Sequence, residues 1–131
     1  MKYLIAIALS LAAFPANADS LWDHNGSIMR LLADGNQRAF VYEVPRTGMR
    51  AAGAGSGDIV FRGQVVGSQY VGTAFIFSRD CGPTPYRVAG PIVTGSTRVV
   101  MQGMAPRVGP DCQVYSTFLD TLEFSYIRQA H

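Results

Sequence analysis

The chain has 131 residues, with 11 Lys and Arg against 9 Asp and Glu and a net charge of +2. That length holds one ordinary domain. Its near-balanced charge, carried by arginines that form no run, excludes the basic footprint of a nucleic-acid or anionic-membrane binder.

The chain opens on a short positive region, Met1-Lys2, followed by an apolar run over 3–14 that only Ser10 interrupts. Pro15 breaks the run, and Ala16-Asn17-Ala18 places small residues where a signal peptidase reads. This three-part pattern predicts that residues 1–18 are a cleavable secretory signal. The competing reading is a membrane anchor, but the run is shorter than the roughly 20 residues a bilayer span needs. Gly, Pro and Arg interrupt every later apolar stretch, so no stable membrane insertion is expected after cleavage. No cysteine follows Ala18, which argues against a lipoprotein anchor. What remains, 19–131, is expected to be a single mature β domain.

Cys81 and Cys112 are the only cysteines. In an exported protein two cysteines usually pair. The loop they would close is worth roughly 3.5–4 kcal/mol by the chain-entropy model. A metal site is a poor alternative, since neither cysteine has a second Cys or a His nearby in sequence.

Few ten-residue stretches lack Gly or Pro, and β-branched and aromatic residues are frequent, which favours strands. A strand over 27–33 turns at Asp34-Gly35-Asn36 into a return strand over 38–44, which Pro45 stops. Residues 46–58 are too rich in glycine for regular structure and read as a long flexible loop. A second hairpin joins 59–64 to 69–77. Residues 81–85 form a loop, and a third hairpin joins 86–93 to 97–104. After a Pro-bounded loop over 106–112 come a short strand at 113–118 and a last strand at 121–128. The pattern predicts an all-β fold, a seven- to eight-stranded antiparallel meander, with an up-and-down barrel favoured over a sandwich. Gly63 and Gly72 in one hairpin, and Gly90 and Gly103 in another, sit where tight bends let a sheet coil.

In such a meander alternate loops lie at opposite ends, so the loops holding Cys81 and Cys112 share one end and can be bridged. The same parity brings the 46–58 loop and the lead-in segment 21–25 to that end. This loop-rich end is the candidate functional face, gathering Trp22, His24, Arg46, Met49, Arg50, Arg79 and Arg107 as ligand- or partner-binding candidates. The bland alternative is a set of solvated loop charges around a filled core, because small barrels are often packed solid. Trp22-Asp23-His24-Asn25-Gly26-Ser27 is the most unusual string. It could bind a ligand, but the structural reading is preferred: Trp22 plugs the barrel end, and Asp23 or Asn25 makes an Asx-turn.

Enzyme motifs are missing, so no catalytic residue, cofactor or metal is expected. Any acid–base chemistry would have to use His24, since His131 is the terminal residue. No serine sits in a nucleophile elbow. Gly53-Ala54-Gly55-Ser56-Gly57 precedes a strand rather than a helix, so it is not a phosphate loop. A carboxylate pair of Asp111 with Asp80 or Asp58 rests on loop parity alone.

At Leu21-Trp22-Asp23-His24-Asn25-Gly26-Ser27, Phe61-Arg62-Gly63, Tyr70-Val71-Gly72-Thr73-Ala74, Cys81-Gly82, Ala105-Pro106 and Asp120-Thr121-Leu122, the chain resembles a group of uncharacterised small exported proteins of Gram-negative bacteria. That group has no assigned activity, so no functional residue carries over. The resemblance implies a bacterial source and hence a periplasmic or secreted location.

Two functions compete. One is a non-catalytic binding module taking a small apolar or amphipathic ligand at the loop-rich end, which calls for a solvent-reachable apolar cavity. The other is a protein-binding factor, such as an inhibitor of an exported hydrolase or an envelope stress protein, that uses the 45–58 loop with Arg46, Met49 and Arg50.

Overall fold

Eight strands follow one another around a closed antiparallel barrel in chain order. They are β1 (Ser20–His24), β2 (Ser27–Asp34), β3 (Gln37–Val44), β4 (Ile59–Val66), β5 (Gln69–Ser78), β6 (Gly82–Pro91), β7 (Arg98–Val108) and β8 (Val114–Gln129). A single-turn helix, α1 (Thr47–Ala51), lies between β3 and β4. The computed structural model describes residues 19–130; residues 1–18, expected from the sequence to be a secretory signal, and His131 lie outside them. The up-and-down barrel expected from the sequence is the fold observed.

Two-residue periodicity builds the core. Met29, Phe40, Ala74, Met101, Ala105 and Phe124 are at most 2% exposed, each on the inward face of its strand. In β4 the consecutive residues Val60 and Phe61 are both buried. A register shift there sets Phe40 opposite Phe61 but Val41 opposite Ile59, leaving Val60 as the extra residue of a bulge. Phe40 and Phe124 stack across the barrel with ring centroids 3.9 Å apart. Trp22 meets Phe40 edge-on at 5.8 Å.

Several boundaries differ from the sequence reading. The lead-in segment is a strand: β1 pairs with both β2 and β8 and so closes the barrel. Its inward side chains are Ser20, Trp22 and His24, and the Trp22 Nε1–H donates to Ser20 Oγ at 2.7 Å. Trp22 therefore packs in the barrel interior, against Phe40 and Tyr126, rather than plugging the loop-rich end. Asn25-Gly26 is the β1–β2 turn, with φ of 52° and 91°, the Asn-Gly signature of a tight hairpin. Strands expected at 113–118 and 121–128 are one continuous β8. The 45–58 segment is not a flexible loop. Pro45 and Ala54 are buried, α1 occupies its first half, and Gly57 N–H and Tyr42 N–H bond back across β3 to Tyr42 O and Asp58 O. Its helix forms because Thr47-Gly48-Met49-Arg50-Ala51 precedes the glycine-dense stretch, which begins at Gly53 (φ 99°).

The seam between β6 and β7 has the shortest paired register in the wall. β6 pairs with β5 from Gly82 to Pro91, but with β7 only at Ala89 and Gln102. Residues 82–85, expected as loop, extend β6, and Pro83, Pro85 and Pro91 occupy alternate positions of it. Successive N–H groups of a strand point to opposite neighbours, so these three prolines strip donors from one edge, the edge facing β7. Two other features hold the seam. Gly90 and Gly103 let the strands approach so closely that a Cβ on Gly103 would overlap Arg87 O, and one on Gly90 would overlap Val100 O. The Cys81–Cys112 disulfide, with Cα atoms 5.4 Å apart, ties the loops that lead into β6 and out of β7.

Replacing both cysteines (Cys81→Ser with Cys112→Ser) is expected to cost about 2–4 kcal/mol in urea unfolding. Amide exchange should accelerate first in β6 and β7. Uniform acceleration around the barrel would contradict the seam.

Candidate functional site at the loop-rich end

The meander brings four connections to one end: the 25–26 turn, the 45–58 segment, the 79–81 turn and the 109–113 loop. The disulfide joins the third to the fourth, as loop parity requires.

Two sequence strings dock on each other here. Ser27, 1% exposed, accepts a hydrogen bond from the Arg46 N–H at 2.9 Å. The Arg46 side chain runs over Gly26, with Cδ 3.7 Å from where a Cβ would stand, and its guanidinium covers Gly48. Arg46 is thus packed between two glycines. Met49 packs from α1 onto the core.

His24 is 9% exposed and stacks on Phe124 with centroids 4.4 Å apart and planes at 18°. Its Nδ1 lies 2.9 Å from Glu123 O. A carbonyl only accepts, so Nδ1 carries the proton and Nε2 presents a lone pair. Burial is the main cause lowering its pKa to about 4, opposed by Asp120 and Asp23. Across from it the Tyr86 hydroxyl donates to Asp120 Oδ2 at 2.7 Å. Burial and that bond push the Tyr86 pKa up. His24, Tyr86, Asp120 and Met49 line one small cavity of about 140 Å³.

Farther out, the mouth opens into a concavity of about 650 Å³. Ile76, Phe77 and Phe118 form its apolar floor, and Arg79 and Arg107 stand on its rim. Phe77 meets Tyr42 edge-on at 5.8 Å. The Arg107 guanidinium lies over the Phe118 ring at 4.4 Å. On the other flank of Phe77 and Arg79 a second groove of about 390 Å³ runs beneath the 52–58 segment, floored by Ile59, Phe75 and Pro83.

The seven candidate residues separate accordingly. Arg79 and Arg107 come together at the mouth, and His24 and Met49 meet at the small cavity. Arg46 holds the two strings together, Arg50 is exposed on α1 and lines none of the concavities described, and Trp22 is in the core. Asp58 and Asp111 each brace their own loop, through Gly55 N–H at 2.8 Å and Gln113 N–H at 3.1 Å. Among the described residues no three His, Cys, Asp or Glu side chains cluster as metal ligands. Sequence reasoning missed Tyr86, Asp120, Phe77 and Phe118. For Tyr86, Asp120 and Phe118 the signal was the inward parity of β6 and β8, legible only once β8 is taken as one strand; Phe77 has the opposite parity to the buried Ala74 of β5 and gave no such signal.

No protein-family model matches the chain, and neither a curated protein nor a solved structure is similar to it.

The His24 site makes stability depend on pH. Its pKa is about 4 when folded against 6.5 for the ordinary imidazole. Between these values the unfolded chain binds a proton that the folded one refuses, so stability falls as pH falls from 6.5 to 4 and is flat above 6.5. About 2 kcal/mol should be lost between pH 7 and pH 5 in urea unfolding. The Glu43 carboxyl, lowered from 4.5 by its hydrogen bonds with Arg30, contributes only below that window. His24→Gln should flatten the profile; an unchanged profile in the variant would contradict the assignment.

Proposed function

We propose that the protein is an exported, non-catalytic β-barrel binding module that takes a small amphipathic ligand at its loop-rich mouth. The observation that carries this reading is the 650 Å³ concavity, in which an apolar floor of Ile76, Phe77 and Phe118 meets two arginines, Arg79 and Arg107. Its size falls in the range of small-molecule sites, about 300–1,000 Å³, and its lining has their usual form, mostly apolar with a few placed polar groups. The two guanidiniums favour an anionic group on the ligand. Its apolar part would lie on the phenylalanines and extend toward the 390 Å³ groove beyond Phe77.

The barrel axis itself offers no such room. Phe40, Phe61, Met29, Met101 and Phe124 fill it at 0–2% exposure, as expected for eight strands. The ligand site is accordingly at the mouth and not inside. Export is supported by the signal pattern of residues 1–18 and by the Cys81–Cys112 disulfide, which persists in oxidising compartments such as the periplasm.

A second reading, a protein-binding factor, is favoured by one observation. Tyr115, 70% exposed, stands at the mouth, and farther along β8 Leu119 and its β7 partner Met104 are 62% and 54% exposed. Exposed apolar side chains of this size suit a protein partner.

Titration with 1-anilinonaphthalene-8-sulfonate, an amphipathic anion, followed by calorimetry and amide shift mapping, separates the two. We expect saturable binding that shifts residues 76–79 and 105–118, and at least tenfold weaker binding in the Arg79→Gln, Arg107→Gln double variant. Absence of binding, or binding indifferent to both arginines, would contradict the ligand reading.

A further inference from the structure

Beneath the mouth, the 140 Å³ cavity beside His24 has a different chemistry. Its space equals about four or five waters at ~30 Å³ each. Of its less exposed polar groups, His24 and Asp120 each present an acceptor, while the donor-capable Asn25 and Thr121 of the lining are exposed. The His24 Nδ1 proton is committed to Glu123 O, which leaves the Nε2 lone pair without a protein partner; no buried side-chain nitrogen or oxygen among the described residues is left unpaired, so Nε2 is the accessible edge of an otherwise buried ring. The Tyr86 proton is committed to Asp120 Oδ2, which leaves the second carboxylate oxygen. Asp120 is the only charged side chain of the lining. Its walls are apolar, provided by Met49, Ile76 and Leu122.

We propose that this cavity is a second binding site, taking a primary alkylammonium group whose N–H donors reach His24 Nε2 and Asp120 and whose short carbon stem lies against Met49, Ile76 and Leu122. An ammonium has donors and no acceptor, the complement of what the cavity presents. It carries the positive charge that Asp120 lacks inside the barrel. Burial holds His24 neutral at ordinary pH, so the imidazole does not repel a cation. Among the described residues Arg46 is the one cation that acts on His24, as the smallest of the contributions, and its guanidinium lies over Gly48. At the rim, Asn25 and Thr121 are exposed, and the Thr121 hydroxyl already accepts from Gln102 at 3.0 Å. The site stands independently of the mouth reading, because it uses neither Arg79 nor Arg107.

The test is titration of the full oxidised protein with n-butylammonium, followed by the ¹⁵N resonance of His24 Nε2. 1-Butanol and butyrate serve as the neutral and anionic counterparts. We expect a saturable shift from n-butylammonium alone, and at least tenfold weaker binding in Asp120→Asn. A lysine-containing peptide distinguishes the source of the ammonium: equal or tighter binding than n-butylammonium identifies a partner's lysine side chain, and exclusion of the peptide identifies a free amine. No saturable shift, equal response to 1-butanol, or unchanged affinity in Asp120→Asn overturns the proposal. If Asp120→Asn does not fold, the three-probe comparison on the native protein decides alone. Anilinonaphthalene sulfonate bound at the mouth reads the other site, so either can fail without the other.

Discussion

The contact on which the rest of the molecule depends is the stack of Phe40 on Phe124 across the barrel. Phe40 comes from β3 and Phe124 from β8, so the pair joins opposite regions of the wall. His24 stacks on Phe124 and Trp22 meets Phe40 edge-on, extending the aromatic layer into β1. An eight-stranded barrel has an interior just wide enough for side chains, and here the aromatic rings occupy it. That filling fixes where chemistry can happen. Polar groups and open space are displaced to the end where the long connections gather, and the small cavity beside His24 lies where the aromatic layer gives way to Tyr86 and Asp120.

Closure carries its own compromise. Three prolines on β6 remove donors that β7 would otherwise use, and one bridge remains between the strands. A barrel with an incompletely bonded seam still closes because Gly90 and Gly103 allow close approach on one stretch and a disulfide holds the other. The same disulfide fixes the 79–81 turn against the 109–113 loop, which sets the spacing of Arg79 and Arg107. Cys112 sits at φ 64°, a left-handed conformation uncommon for a side-chain-bearing residue, and its N–H bonds to Gly109 O at 2.9 Å. Stability of the wall and geometry of the mouth therefore rest on one covalent bond.

Much of this was legible in the residues. The hairpins at 27–44, 59–77 and 86–104 follow from alternation and turn chemistry, and loop parity alone placed both cysteines at one end. What escaped were features in which a local signal loses to a tertiary one. Pro83, Pro85 and Pro106 read as loop residues, yet each sits in a strand, those of β6 on the edge that the ladder to β5 does not use. Leu21-Trp22-Asp23-His24 reads as a polar-interrupted lead-in, but it gains strand structure from β8, whose partner segment lies about a hundred residues away. The Asn25-Gly26 pair signalled a hairpin, and its weight was lost because no strand was expected before it. Asp120 and Tyr86 gave no sequence signal as a pair, because only the barrel's curvature sets β6 opposite β8.

The function proposed here is that of an exported barrel that carries a small molecule at its mouth. Native mass spectrometry of the protein purified from its own envelope fraction tests it most directly. The expected species is a chain beginning at Asp19 with the Cys81–Cys112 bond intact, bearing a small noncovalent adduct that leaves on gentle activation. A chain that retains residues 1–18, or one recovered only in complex with a second protein and never with an adduct, would contradict it.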